Sequence, residues 1–220
     1  MVNIDLKDRK ILYQLDIDSR QSYRVIAKKV GLSKDGVSNR IARMQEKGII
    51  KNFYTVVDTS PLGYIHPRFY IKYQYTNPEI KKEIIYHFVK SKYVGFVHEL
   101  EGNYELAVAM VVKNITEFSN FWEKSMAKYR NYFANQSFSI YLSENMYRYS
   151  FLFDENATER FDTTNVQVFG GIKQVKIDEL ECNILKLITP DARMPLTIIA
   201  KKINSTTRWT QSFHSRKISS

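Results

Sequence analysis

The segment SYRVIAKKVGLSKDGVSNRIARM (residues 22–44) carries the strongest structural signals in the first fifty residues of the chain. Ser22 and Ser33 each stand before a stretch with helical apolar periodicity, so each predicts a helix N-cap. Gly31 lies between the two stretches and predicts a left-handed end to the first helix. The second helix carries an apolar stripe at Val37, Ile41 and Met44. This order of cap, helix, glycine turn and basic helix indicates a helix-turn-helix.

One more helix precedes this pair. Asp5 predicts its N-cap, with Asp8 in the first turn, and Gly48 predicts the end of the third helix. We therefore expect residues 1–52 to form a three-helix, winged helix-turn-helix domain of a protein in the α+β class.

The polar face of the third helix suggests how DNA would be bound. Asn39 and Arg43 lie four residues apart and share one side of the helix, where they can pair with adenine and guanine in a major groove. Ser33, Lys34 and Arg40 are suited to phosphates. An ordinary solvated helix face is the alternative. The full set of predicted DNA-binding residues is Ser22, Tyr23, Ser33, Lys34, Asp35, Ser38, Asn39, Arg40 and Arg43.

The charge is distributed unevenly along the chain. The net charge is +10 over 220 residues, with +6 in residues 1–52, −1 in 53–172 and +5 in 173–220. Basic ends around a neutral middle favour contact of the ends with a polyanion, although lysine-rich faces can also serve solubility alone.

Several classes of protein are excluded by what the sequence lacks. One cysteine, Cys182, rules out a disulfide framework, and the four histidines show no metal-ligand spacing. No phosphate-binding or dinucleotide glycine motif and no apolar run of membrane-spanning length occurs. We expect a cytoplasmic protein with no cofactor, no bound metal, no catalytic residues and no membrane partner.

The middle of the chain predicts a ferredoxin-like βαββαβ domain over residues 63–153, after a connecting strand or linker at 53–62. Asn77 and Pro78 predict the start of its first helix, and Thr116 predicts the cap of its second. The predicted strands are 51–58, 68–75, 94–100, 104–112, 137–142 and 147–153. The surface of the sheet opposite the helices carries many aromatic side chains. This favours a sheet-to-sheet dimer, since a sheet that stacks bases would be more basic.

The end of the chain repeats its beginning. A shift of 173 residues gives nine identities between positions 5–29 and 178–202, which indicates an internal duplication. We expect a polar linker at 154–173, ending in Gly170 and Gly171, and a second, incomplete helix-turn-helix-like domain at 174–220. There the helix pair spans 174–203. At the same shift the apolar stripe of the third helix falls on Thr210, His214 and Lys217, which cannot form its core. Dropping one residue in the turn, where position 204 is not glycine, brings Trp209 and Phe213 into line, and we expect an incomplete or divergent third helix over 204–220. Arg208, Arg216 and Lys217 of that helix could contact phosphate.

Together these residues carry a family resemblance. The run from Ile4 to Leu12, the segment 26–33 and the positions around Arg40 and Gly48 are similar to the amino-terminal domain of the leucine-responsive regulator/AsnC transcription regulators. The resemblance implies that the helix beginning at Ser33 is the recognition helix. It also implies that the βαββαβ domain senses a small molecule, such as an amino acid, and forms homodimers or higher homo-oligomers.

The resemblance places the effector between subunits, near one hairpin. This hairpin contributes Gly102, Asn103, Tyr104 and Glu105, with Glu105 where aspartate is usual; Gly102 and Asn103 could instead serve only the turn.

Siroheme decarboxylases resemble the same scaffold and give an enzymatic alternative. His66, Arg68, His87 and His98 would then hold or protonate the carboxylates of the tetrapyrrole. A regulator that has lost DNA binding is a third possibility, which the basic third helix argues against. The sequence as a whole favours a sequence-specific regulator that binds double-stranded DNA.

Overall fold

The computed structural model describes residues 4–152, 165–170 and 174–204. The chain divides into two compact units. The first comprises the described parts of 1–57, 145–166 and 177–220, and the second comprises those of 58–144 and 167–176. No helix in the described ranges combines the length and apolarity needed to cross a bilayer.

The first unit begins with three helices: α1 (Leu6–Ile17), α2 (Tyr23–Val30) and α3 (Lys34–Glu46). Asp5, Ser22 and Ser33 cap them, as predicted. Gly31 has a φ of 67° and ends α2 in the left-handed conformation. Their shared core contains the predicted apolar stripe of α3, together with Ile11, Ile26 and Val30. Burial of each such side chain stabilises the fold by roughly 1.5–3 kcal/mol, and this core fixes the angle at which α3 leaves the turn.

The second unit has the predicted βαββαβ order. Its elements are β1 (His66–Tyr73), α4 (Pro78–Val89), β2 (Val94–Glu99), β3 (Leu106–Met110), α5 (Ile115–Tyr129) and β4 (Phe133–Tyr141), with short 3₁₀ turns at Ser60–Leu62 and Arg130–Tyr132. The strands form one antiparallel sheet in the order β2-β3-β1-β4. Side chains such as Phe69, Ile84 and Phe118 are buried in its core.

Two predictions for the βαββαβ domain were wrong. Asn114, not Thr116, caps α5, because its side-chain oxygen accepts a hydrogen bond from the Glu117 N–H at 2.9 Å. Residues 147–153 do not close the sheet. Instead β5 (Ser143–Tyr147) pairs with β6 (Asn165–Gly170), and a 3₁₀ turn follows at Ser150–Leu152.

Residues 148 and 149 leave the strand because they bond to α1. The Arg148 guanidinium donates to the carbonyl of Asp16, and the Tyr149 N–H donates to the Asp16 carboxylate at 3.2 Å. Alternating aromatic residues are typical of a strand, but these hydrogen-bonding groups are satisfied within the first unit.

The first unit ends with the second helix pair, α6 (Glu179–Ile188) and α7 (Leu196–Lys202). Asp178 and Glu181 form a capping box on α6, as predicted. Asn204, the equivalent of Gly31, has a φ of 52°, so the repeat keeps the left-handed turn at the same offset. The expected loss of one residue in this turn concerns the alignment of residues beyond 204, which lie outside the described residues. Of the predicted linker 154–173, residues 165–170 form β6, and 154–164 and 171–173 lie outside the described residues. The rest of the predicted third helix, with Arg208, Arg216 and Lys217, also lies outside them.

The strand predicted at 51–58 is a further correction. Residues 51–59, all within the described part of the chain, form no strand. Their hydrogen bonds go to the end of α6 instead: the Thr55 N–H donates to the Thr189 carbonyl at 3.2 Å, and Phe53 accepts at 2.8 Å from the Ala192 N–H. A helix end thus satisfies the backbone groups that a partner strand would otherwise bond.

Candidate nucleic-acid interface

Helix α3 presents one polar face to solvent. Val37, Ile41 and Met44 are fully buried on its opposite side. The exposed positions of α3 include Lys34, Asp35, Asn39, Ala42, Arg43 and Glu46, while Ser38 is half-buried. Gly36 is also small, and a Cβ there would lie 3.1 Å from Ser33 Oγ. The polar face centred on Asn39 is therefore flanked by small side chains, and a groove of DNA can approach it closely.

The two arginines of α3 turn towards α1. Arg40 donates to the carboxylates of Asp5 at 2.6 Å and Asp8 at 2.8 Å, and Arg43 donates to Asp8 at 2.6 Å. The Asp8 side chain is only 1% exposed, whereas those of Arg40 and Arg43 are 26% and 43% exposed. Asp8 therefore makes ion pairs that join the start of α1 to the middle of α3.

Titration of this cluster follows from the same contacts. The pKa of Asp5 is lowered, first by the hydrogen bond from the Asp8 backbone and then by Arg40. The pKa of Arg40 is raised by its hydrogen bonds to Asp5 and Asp8. Arg40 was predicted to hold a phosphate, and in the structure its guanidinium bonds to these carboxylates. Its role at DNA and that of Arg43 stay predictions.

The capping serines use their hydroxyls within the fold. Ser22 Oγ accepts from the Val25 N–H at 3.3 Å, and Ser33 Oγ accepts from the Gly36 N–H at 3.0 Å. Both serines are exposed beside helix starts. Tyr23 is half-buried, and its ring lies 4.6 Å from the Arg193 guanidinium carbon of the second helix pair. The structure thus brings Ser33 and Lys34 to one end of the α3 face and covers one side of Tyr23.

Basic residues of α2 that were not predicted to bind DNA are also exposed. Arg24 and Lys28 are four residues apart, so they share one side of α2, and Lys29 donates to the Gln21 side chain at 2.8 Å. Their i, i+4 spacing was the signal that could have identified them. These residues supply positive charge of the kind that attracts a phosphate backbone.

The hairpin predicted to bind an effector lies in the second unit. Gly102 has a φ of 125°, a conformation that favours glycine, and Asn103 is exposed. The Glu105 carboxylate accepts from the Tyr73 N–H at 3.1 Å and from Lys81 at 3.0 Å, and Lys72 lies 3.5 Å away. Lys81 is the main cause of the lowered pKa of Glu105. The ring of Tyr104 lies 5.7 Å from that of Tyr70.

The four residues of the enzymatic alternative have separate surroundings. His66 is buried and stacks on Phe169 at 3.8 Å, and His87 lies 3.0 Å from the Ser125 hydroxyl. His98 is exposed, and Arg68 pairs with Glu144. Among the described residues, no group of His, Cys, Asp and Glu side chains could hold a metal ion.

Known proteins similar to this chain are DNA-binding regulators. The family described as winged helix-turn-helix DNA-binding matches residues 4–51. The HTH-type transcriptional regulator FL11 of Pyrococcus horikoshii is 30% identical over 126 residues, which cover 54% of this chain and 78% of that protein. FL11 of Pyrococcus furiosus is 32% identical over 124 residues, covering 54% and 77%.

Solved structures share the fold. An AsnC family transcriptional regulator from Agrobacterium tumefaciens aligns with a TM-score of 0.59 at 24% identity, over 66% of this chain and 95% of that one. A transcriptional regulator from Neisseria meningitidis, solved as a complex with L-Met, aligns with a TM-score of 0.60 at 16% identity, over 67% and 96%.

Proposed function

This chain belongs to the leucine-responsive regulator/AsnC family of DNA-binding transcription regulators, and we propose that α3 reads a specific site in double-stranded DNA. The observation that carries the proposal is the exposed face of α3 around Asn39, held at a fixed angle by the buried core and by the ion pairs of Asp8. Lys34 and the basic residues of α2 supply phosphate contacts beside it.

Selection from a random DNA pool, followed by titration of the selected site, tests this proposal. We expect specific binding that exceeds binding to scrambled DNA by at least about 10³-fold, with an affinity that falls steeply as salt rises. Equal affinity for selected and scrambled DNA at every salt concentration would reject specific recognition.

We further propose that the second unit binds a small metabolite with a charged amino group, in the class of the amino acids. Support comes from the Neisseria meningitidis regulator solved with L-Met, and from the position of Lys72 on β1, beside Glu105 and Gly102 of the hairpin. Glu105 supplies a carboxylate, and Lys72 donates to the Gly102 carbonyl at 3.2 Å, so both charges of an amino acid have counterparts here.

Calorimetric titration with each of the common amino acids tests the effector proposal. We expect one class to bind, and the Glu105→Gln variant to bind it at least about tenfold more weakly, because a charge-assisted hydrogen bond is lost. Lys113→Ala, which changes an exposed lysine of the same unit outside the hairpin, is the control. Saturable binding that is identical in the wild type and in Glu105→Gln would place the effector elsewhere.

We also propose that the chain pairs through the open face of its four-stranded sheet and has no enzymatic activity. Phe96 is 62% exposed on β2, and Tyr70 and Tyr141 join their hydroxyls at 2.8 Å on the same sheet. Phe96→Asp should shift the mass in sedimentation equilibrium towards the monomer; an unchanged mass would exclude this face.

Carbon dioxide release from the tetrapyrrole, measured anaerobically, would overturn the proposal that the chain has no enzymatic activity.

A further inference from the structure

In each of the two helix pairs of the first unit, a short turn of the same type joins the two helices. After α1, the Asp18 carboxylate accepts from the Arg20 N–H at 2.8 Å, and after α6, the Asp191 carboxylate accepts from the Arg193 N–H at 3.1 Å. The 173-residue shift that relates the two halves of the duplication also relates these two turns. We name residues 18–21 the first turn and residues 191–194 the second turn.

Each turn binds the other with equivalent atoms. The Arg20 guanidinium donates to the carbonyls of Ala192 and Met194 in the second turn, the latter at 3.3 Å. In return, the Arg193 guanidinium donates to the carbonyls of Ser19 and Gln21, which occupy the equivalent positions of the first turn, the latter at 3.0 Å. The contact is therefore isologous, the type that relates identical subunits across a two-fold axis, although both halves belong to one chain.

An isologous contact between two equivalent turns makes each turn complementary to a copy of itself. The first turn carries both the guanidinium that donates and the two carbonyls that accept. Arg193 also lies 4.6 Å from the ring centre of Tyr23 and 5.2 Å from that of Phe53. The equivalent of Tyr23 in the second helix pair is Leu196, so two copies of the first turn would offer Arg20 aromatic contacts that the second helix pair lacks.

The first turn is partly covered within the chain. Ser19, Arg20 and Gln21 are half-buried, and Ala192 of the second turn is only 1% exposed. Burial, together with the nearby Arg193, lowers the pKa of Arg20. A partner tied to the same chain meets the first turn without a bimolecular step, so it outcompetes a second molecule at ordinary protein concentrations.

We propose that the first turn is a pairing surface for a second copy of this chain, which the second helix pair occupies as an intrachain substitute. Its partner is the first turn of the other copy, bound through reciprocal Arg20 contacts. The contact with a second copy involves residues 18–21 and the ring of Tyr23. The residues next to the two turns differ in their bonding partners. Arg148 donates to the carbonyl of Asp16 in α1, whereas the Thr55 N–H donates to the carbonyl of Thr189, the equivalent residue at the end of α6. This surface differs from the α3 face and from the open sheet, and the proposal does not depend on either.

Variants of the full chain test the proposal. Arg193→Ala removes the donor of the second turn but leaves the first turn intact. Ala192→Glu places a carboxylate at a buried position of the second turn and is a second way to release it. Hydrogen exchange of α6 and α7 reports release, and sedimentation equilibrium reports association. Lys202→Ala, an exposed lysine of the same helix pair, is the matched control.

We expect faster exchange in α6 and α7 for both releasing variants. Both should also self-associate in an additional step, with a dissociation constant at least about tenfold lower than that of the wild type. Adding Arg20→Ala to either variant should abolish this step. Faster exchange with association equal to that of the wild type would overturn the proposal. So would association that persists without Arg20, or exchange unchanged in both variants, because the first turn would then never be accessible to a second copy.

Discussion

Asp8 and Arg43, which lie 35 residues apart in the sequence, are joined by an ion pair of 2.6 Å at the centre of the DNA-binding domain. The carboxylate is buried and the arginine is partly exposed. Because Arg40 shares the same carboxylate, α1 determines how the arginines of α3 are oriented. The orientation of the two arginines of α3 therefore depends on a residue near the start of the chain.

Replacing Asp8 with alanine should destabilise the protein. The substitution removes both arginine bonds and one half of the capping box, so we expect the free energy of unfolding to fall by about 2 kcal/mol. Urea denaturation followed by circular dichroism measures the change. Asp35→Ala, which changes an exposed acidic residue near the start of α3, should alter the free energy of unfolding by no more than about 0.5 kcal/mol. Equal effects of the two substitutions would contradict the structural role of Asp8.

Asn39 and Lys34 should affect DNA binding in different ways. If Asn39 reads a base, Asn39→Ala should weaken binding to the selected site by about 1–3 kcal/mol and leave nonspecific binding unchanged. Lys34→Ala should weaken binding to all sequences alike and reduce the slope of log affinity against log salt by about 1. Fluorescence anisotropy at several salt concentrations separates the two. The assignment of Asn39 fails if its variant loses affinity equally on selected and scrambled DNA.

The turn between α2 and α3 depends on the left-handed conformation of Gly31. Gly31→Ala should lower the free energy of unfolding by about 1–2 kcal/mol, since a Cβ disfavours this conformation and would lie 3.2 Å from Lys7 Nζ. Asparagine tolerates the conformation, as Asn204 does in the repeat. We therefore expect thermal denaturation to show a smaller loss for Gly31→Asn than for Gly31→Ala, and the reverse order would be inconsistent with the conformational argument.

His66 should make stability depend on pH. Burial lowers its pKa below the ordinary value of 6.5, against the opposing influence of Asp58 and Glu144 and with the support of Arg68. The unfolded chain therefore binds a proton at a higher pH than the folded chain does, so stability falls as the pH drops below 6.5.

His66→Phe, which keeps an aromatic ring against Phe169, should flatten this fall in urea denaturation series at decreasing pH. A residual slope should remain, because burial also lowers the pKa of His87. His98→Phe, at an exposed histidine, is the control. A pH dependence as steep in His66→Phe as in the wild type would assign the effect to other groups.

Local signals in the sequence predicted the local parts of the fold. Asp5, Ser22 and Ser33 were identified as caps, and Asn77 with Pro78 marked the start of α4, because each interaction spans about three residues. Segments whose bonding partners are distant in sequence were predicted wrongly. Residues 51–58 have strand composition, but their backbone bonds to α6, and residues 148 and 149 bond to Asp16.

The candidate site shows the same division. Helical periodicity separated the buried stripe of α3 from its polar face, and the structure confirms that stripe. Periodicity could not show that Arg40 and Arg43 bond to Asp5 and Asp8, since nothing in α3 itself specifies a partner in α1. Periodicity likewise could not predict the reciprocal hydrogen bonds of Arg20 and Arg193, although the duplication identified the two residues as equivalent.

The ion pairs of Arg40 and Arg43 have a consequence for engineering. With the guanidiniums of Arg40 and Arg43 paired to Asp5 and Asp8, the other exposed residues of α3 are Lys34, Asp35, Asn39, Ala42, Gln45 and Glu46, whose summed charge is −1. General attraction to the polyanion is then the task of Lys34 and of neighbours on α2. Under the proposed binding mode, operator preference could be reprogrammed at the outward positions of α3 while the overall grip on nucleic acid is retained.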